Sequence, residues 1–258
     1  MRLLDPDAFE SVFVPLQGKR IGYIRPCGNV GDALIEWATF QLFEVFGIDW
    51  QRIDPEACEE VDVEELVFGG GGNMGNRYRN NWELRGKALA LGLPMTILPQ
   101  TFTSVEDRPY KRVYVREQTS LVYCPQATVA PELALGFDCR VAKSPRRETG
   151  VFLRRDPERT SATHWFRRDP AKLCRTPQEY LELAAEYEHI VTDRLHFAIC
   201  GLLLRRDVTL LPNDYHKNRS MHESWLGALG CRFAESVREA LGRPGGSRQA
   251  EMVSHGSP

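Results

Sequence analysis

The chain keeps changing its period. Short runs rich in β-branched and aromatic residues alternate with stretches whose apolar residues recur at helical spacing. "KRIGYIRP" (19–26) reads as a strand closed by Pro26, and "DALIEWATFQLFEVFG" (32–47) follows as a helix. Its spacing places Leu34, Ala38, Leu42 and Val45 on one face, and Gly47 supplies the stop. "IDWQRID" (48–54), "PMTILPQ" (94–100) and "KRVYVRE" (111–117) read as further strands, "EELVFGGGG" (64–72) as a buried strand running into a glycine loop, and "NNWELRGKALALG" (80–92) as a helix among them. Alternation of this kind specifies a parallel sheet flanked by helices.

The composition changes over "RVAKSPRRETG" (140–150), which is polar, basic and proline-containing and reads as a linker. The alternation then restarts. "GVFLRRD" (150–156), "HIVTD" (189–193) and "DVTLLP" (207–212) are strands. "TPQEYLELAAEY" (176–187), "RLHFAICGLLL" (194–204) and a segment near "MHESWLGALG" (221–230) are helices. The expected fold is α/β with two Rossmann-like domains facing a cleft. Residues 1–142 form the first, residues 150–241 the second, and 242–258 a glycine- and serine-rich disordered tail.

Charge separates the two halves. Residues 1–66 hold 14 acids and 5 bases, whereas residues 140–219 hold 16 bases and 11 acids. A basic second half suits an anionic ligand. The acids interleaved in "RRDPER" and "FRRDP" speak against a nucleic-acid stripe. The 7 cysteines are odd in number, scattered and without a CxxC pair, which excludes a disulfide framework and a zinc knuckle. No cluster of His, Asp and Glu at ligand spacing occurs, so no metal is expected. No apolar run reaches the roughly 20 residues that span a bilayer. The acids and proline of "MRLLDPDAFE" do not fit a secretory signal, so a cytoplasmic location is expected.

Ligands of open α/β sheets bind at the carboxyl ends of the strands, and polar residues cluster there. "CGNVGDALI" (27–35) follows the first strand. Gly28, Asn29 and Gly31 let the chain turn tightly, and Asp32 is placed to cap the helix or to meet a sugar hydroxyl and take its proton. "VFGGGGNMGN" (67–76) lacks the Lys-Ser or Lys-Thr pair of a P-loop. Gly71 and Gly72 permit close approach to the backbone there, and Asn73 offers an amide to hydroxyls. Gln100, in "LPQT", is expected to face the cleft. Arg116 and Glu117 stand at a strand-to-helix junction, as cleft residues or as a surface ion pair.

In the second half, neighbours along a strand point to opposite faces, so one of Arg154 and Arg155 reaches the cleft. Arg154, directly after the apolar run, is the choice. "TDRLHF" (192–197) opens a helix whose free N–H groups favour an anion. Arg194 adds a forked donor, and His196 beside it is placed to act as an acid. Lys217, in "LPNDYHKNRS", is a point charge for phosphate.

The ordered set "GNVGD", "GGGGN", "LPQT", "VREQTS", "FLRRD", "TDRLHFAI" and "PNDYHKNRSMHESWL" resembles the polysaccharide pyruvyl transferase family over residues 28 to about 230. The resemblance implies two Rossmann-like domains in the glycosyltransferase-B arrangement. It implies transfer of an enolpyruvyl unit from phosphoenolpyruvate onto sugar hydroxyls as a ketal, with release of phosphate. The family's Arg-Leu-His motif falls on Arg194, Leu195 and His196, implicating them in donor binding and catalysis. Its donor-binding arginine falls on Arg154, with Arg155 in the competing register. Lys217 completes the cationic set, Asp32 is the expected base, and Asn73 and Gln100 orient the sugar. Phosphoenolpyruvate is a co-substrate and no cofactor is implied. The partner is a sugar or lipid-linked oligosaccharide, which puts the enzyme in the cytoplasm, at the inner face of the membrane where the acceptor is lipid-linked. Phe197 stands where a small residue is common and is expected to narrow the donor pocket. Two other functions fit a two-domain cleft with a basic second half: a glycosyltransferase using a nucleotide sugar, and a non-catalytic sugar-binding protein.

Overall fold

A computed structural model describes residues 1–57, 61–160 and 168–242. The expected tail, apart from Gly242, lies outside these residues. A helical segment containing α1 (Glu10–Phe13) leads into β1 (Arg20–Ile24), α2 (Val30–Phe46) and β2 (Asp49–Arg52). Then come β3 (Glu65–Phe68), β4 (Gly71–Met74), α3 (Arg79–Ala90), β5 (Met95–Phe102), β6 (Arg112–Val115) and β7 (Thr128–Val129). The second half comprises β8 (Arg147–Phe152), α4 (Pro170–Leu173), α5 (Pro177–Ala185), β9 (Tyr187–Thr192), α6 (Leu195–Leu203), β10 (Asp207–Leu210), α7 (Lys217–Met221), β11 (Arg232–Phe233) and α8 (Val237–Gly242).

Every strand pairing among the described residues is parallel. The first sheet has the order β2-β1-β3-β5-β6-β7, with β4 also paired to β5, and the second has the order β11-β10-β9-β8. The chain leaves β1 toward β2 and returns across it to β3, which makes a topological switch point between β1 and β3. β3 and β5 are buried at every position, as central strands of a parallel sheet covered on both faces are. The largest apolar core runs from Phe9 to Cys231 and is shared by both halves, with α2 packed on α5 and α6.

Four local expectations are corrected. The glycine stretch does not stay a loop, because Gly71–Met74 adds to the sheet beside β5. The linker is shorter than its composition indicated, since Arg147 already begins β8. Val45 is 49% exposed. The buried stripe of α2 instead follows Leu34, Ile35, Ala38, Leu42 and Phe43. Phe197 is fully buried against Phe152 and Tyr180, because on a helix it points about 100° away from His196. It fills the core and does not narrow the cleft.

Candidate active site

The C-terminal ends of both sheets open onto one cleft of about 290 Å³. Residues 27–32 follow β1 and residues 72–73 continue from β3, so the first half contributes its switch point. Asn29 is the N-cap of α2: its Oδ1 accepts from the Gly31 N–H at 2.8 Å, and Asp32 Oδ2 accepts from the Asn29 N–H at 2.8 Å. This is a capping box with Asp32 as its third helical residue, so one of its oxygens is occupied by the helix end. Gly28, Asn29, Asp32, Gly72 and Asn73 line the cleft, whereas Gly31 and Gly71 do not. Asn73 is buried, and its Nδ2 has no hydrogen-bond partner among the described residues.

Gln100 does not reach the cleft. β5 continues to Phe102, so Gln100 lies inside the strand, fully buried. Its Oε1 accepts from the Asn73 N–H at 2.9 Å and its Nε2 donates to Gly69 O at 2.5 Å. It supports the cleft floor from beneath. Arg116 and Glu117 are not a surface pair either. Arg116 lines the cleft at 1% exposure, with Nε on Thr101 Oγ1 at 2.8 Å and Nη1 on the carboxylate of Glu132. Glu117 caps the 3-10 turn Gln118–Val122, accepts from Ser220 Oγ at 2.9 Å, and lies 3.6 Å from His216 Nε2.

The second half supplies the cations. β8 and β9 are in register from Arg147↔Tyr187 to Phe152↔Thr192, so the residues following them emerge side by side. Asp193 Oδ1 accepts from the Arg154 N–H at 2.8 Å and ties the two strand ends together. Burial pushes this carboxyl up to about 6. Arg154 lines the cleft at 3% exposure. Arg155 is exposed, outside the cleft, with its backbone N–H on Asp169 Oδ2 at 2.8 Å. Arg154 is therefore the one of the two that faces the cleft, with both lying past the end of β8. Arg194, the N-cap of α6, grips Asp169 through Nε at 3.0 Å and Nη2 at 2.7 Å, and touches Asp156 at 2.7 Å. Lys217 opens α7 and donates to Glu158 Oε2 at 2.5 Å. Burial pushes its ammonium down to about 8, with Arg154 and Arg116 acting the same way against the opposing pull of Glu158.

His196 lines the same cleft with a side chain 14% exposed. Its Nε2 lies 3.8 Å from Glu132 Oε2. At the other ring nitrogen the neighbour is Gly31, where an added Cβ would stand 2.7 Å from Nδ1. The ring is carried by the second half and held by the first.

The acids of the cleft are what sequence reasoning missed. Glu158 binds Arg154, Lys217 and the hydroxyl of Tyr78, which reaches over from the first half. Asp156 bridges Arg154 and Arg194. Both stand in "RRDPER", where acids interleaved with bases spoke only against a nucleic-acid stripe. Chemically, the cleft offers forked and point cations to an anion, an imidazole beside them, and amide and carboxylate groups opposite. An incoming anion competes with Asp156 and Glu158 for the same donors.

A family description, polysaccharide pyruvyl transferase, matches residues 29–215. The chain belongs to that family. It is accordingly an enzyme, a transferase. The matched range takes in Asn29, Asp32, Asn73, Arg116, Arg154, Arg194 and His196 and stops just short of Lys217. No curated protein matches the sequence significantly. Among solved structures, a functionally uncharacterised protein from Klebsiella pneumoniae superposes with a TM-score of 0.74 at 22% identity, covering 88% of this chain and 97% of that one. That likeness speaks for the fold. Among the described residues, no helix of this pyruvyl transferase family member is long and apolar enough to cross a membrane.

Proposed function

We propose that the protein moves the enolpyruvyl group of phosphoenolpyruvate onto two hydroxyls of a polysaccharide sugar unit, forming a pyruvate ketal and releasing phosphate. The observation that carries this is the convergence of Arg154, Arg194 and Lys217 with His196 in one cleft, inside or beside the family-matched range. Phosphoenolpyruvate brings a carboxylate and a phosphate, and two guanidinium groups and an ammonium suit both. His196 protonates the methylene carbon, which becomes the methyl group, while a first sugar hydroxyl bonds to the neighbouring carbon. The C–O bond to phosphate then breaks, and the second hydroxyl closes the ketal. Of the two hydroxyl protons, one balances the proton given to carbon and the other leaves with phosphate.

Asp32 faces the cleft from the opposite side and is the base for a hydroxyl, with Asn73 Nδ2 donating to the sugar. The first half is the acceptor side and the second the donor side, facing each other as in glycosyltransferase-B enzymes. The donor is soluble and anionic, so the reaction runs in the cytoplasm, at the inner membrane face where the acceptor is lipid-linked. No cofactor takes part in this scheme.

The test is incubation with labelled phosphoenolpyruvate and a panel of lipid-linked and nitrophenyl sugars, following phosphate and product mass. Acceptor-dependent phosphate release with a ketal-sized mass gain is the expected result. Thermal stabilisation by UDP-sugars but not by phosphoenolpyruvate would instead identify a glycosyltransferase. Sugar binding with no phosphate release from any pair would identify a non-catalytic binder.

A further inference from the structure

We propose that Tyr78, carried by the first half, binds phosphoenolpyruvate: with Arg154 and Lys217 it forms the subsite for the phosphate, in the place that the Glu158 carboxylate takes in this structure. The inference rests on the reading of the cleft as a phosphoenolpyruvate site. Hydrogen-bond donors from three separate segments meet on Glu158. Tyr78, the N-cap of α3, lines the cleft and donates its hydroxyl to Oε1. Arg154 Nη1 and Lys217 Nζ, the latter at 2.5 Å, both donate to Oε2, and Asn213 Nδ2 approaches the same oxygen at 3.4 Å. Next to Tyr78, Arg77 pairs with Asp214 across the two halves and anchors the segment that carries the phenol.

A carboxylate oxygen offers about two lone-pair positions, so three donors crowd Oε2. A phosphate brings three terminal oxygens and a larger charge, and spreads the same donors over them. The Tyr78 phenol stays a donor, because burial first and Glu158 next push its pKa upward. Burial raises the Glu158 carboxyl too, but Lys217 and then Arg154 hold it well below the ordinary range, so the group in the subsite is an anion. Glu158 is also placed to yield. It sits on a turn in which the Arg159 N–H donates to Asp156 O at 3.2 Å, with Pro157 and Arg159 exposed on either side. Its own carbonyl accepts from the Asp214 N–H at 3.0 Å, so the side chain swings out while the turn keeps its place. Asp156 spans Arg154 and Arg194 at 2.9 and 2.7 Å, and that forked position suits the planar carboxylate of the same compound.

The test measures binding of inorganic phosphate, pyruvate and phosphoenolpyruvate to the full chain by calorimetry. Titrations are run at about pH 6, so that Lys217 keeps its proton once its partner carboxylate is gone. E158Q removes the competing charge, and phosphate is expected to bind it about tenfold more tightly than it binds the wild type. Adding Y78F to E158Q should loosen phosphate and phosphoenolpyruvate about tenfold and leave pyruvate within about twofold. The phenol is removed on E158Q because in the wild type it serves both competitors. E158D draws the carboxylate back, gives a smaller gain of the same sign, and carries the test where E158Q does not fold. Phosphate binding that is unchanged or weaker without the Glu158 carboxylate overturns the proposal, as does a Y78F change without effect. Equal losses for phosphate and pyruvate overturn the assignment to phosphate. If phosphate behaves as expected while phosphoenolpyruvate is never turned over, the functional reading fails and the subsite stands.

Discussion

Two buried arginine–glutamate pairs sit under the first sheet's carboxyl edge, and they are built differently. Arg85 and Glu106 form a fork-to-fork pair at 2.8 and 2.5 Å. Arg85 also donates to Asn73 O at 3.1 Å, and Glu106 accepts from the Gly75 N–H at 3.0 Å and from Tyr110. Everything the pair offers is consumed by backbone or by a neighbour, so it anchors the β4 segment and nothing more. Arg116 and Glu132 are as deeply buried, yet Arg116 lines the cleft and Glu132 lies behind it, near the ring of His196. An added Cβ on Gly72 would meet Arg116 Nη2 at 2.9 Å, and Glu132 Oε2 lies 3.8 Å from His196 Nε2. Burial of a charged pair alone does not separate scaffold from mechanism. What separates them is whether the spare hydrogen-bonding capacity faces protein or cavity.

That contrast can be broken where the effect is largest, at the closed pair. Glu106→Ala leaves Arg85 charged and fully buried without its partner. It is expected to lower unfolding free energy by about 3–5 kcal/mol in denaturant titrations. A loss below about 1 kcal/mol would remove the pair's anchoring role. His196→Ala probes the open side. Its kcat should fall about 10²–10⁴-fold while phosphoenolpyruvate still binds and the melting temperature holds. Full turnover would end the assignment of the acid. Arg194→Lys keeps charge but loses the fork on Asp169 and the donor. Its KM for phosphoenolpyruvate should rise about 10–100-fold in steady-state assays, and an unchanged KM would exclude Arg194 from the donor site.

A smaller effect comes from Lys217. Its folded-state pKa is lowered to about 8, so in the free enzyme the ammonium loses its proton as pH rises through that value. Affinity for an anion should then weaken, by at most about tenfold per pH unit. K217R should flatten this dependence in calorimetric titrations, and equal slopes in both proteins would remove Lys217 from the donor site. Smallest of all, Gly31→Ala puts a methyl 2.7 Å from His196 Nδ1. It is expected to lower kcat roughly threefold to tenfold while helix propensity keeps stability level. Unaltered kcat would show that the ring is not held from that side.

Much of this architecture was legible because it is local. The alternation of periods gave both sheets, and polar residues just past apolar runs marked the cleft edge, as at Asn29, Asp32, Arg154 and His196. Gln100 was misread because periodicity does not say where a strand ends, and β5 runs 2 residues beyond it. Phe197 was misread because family spacing says nothing of the helical angle that turns it into the core. Glu132 and Glu158 were invisible for a deeper reason. Each is defined by partners far along the chain, such as His196 for Glu132 and Lys217 for Glu158, and "APELALG" carries no local mark of that.

The most direct measurement is a crystal of the protein soaked with phosphoenolpyruvate. The account predicts the compound lodged in the cleft, its carboxylate and phosphate taken by Arg154, Arg194 and Lys217 in place of Asp156 and Glu158, with the His196 ring beside the methylene carbon. Density for the compound elsewhere, or an imidazole turned away from it into the interior, would contradict the account.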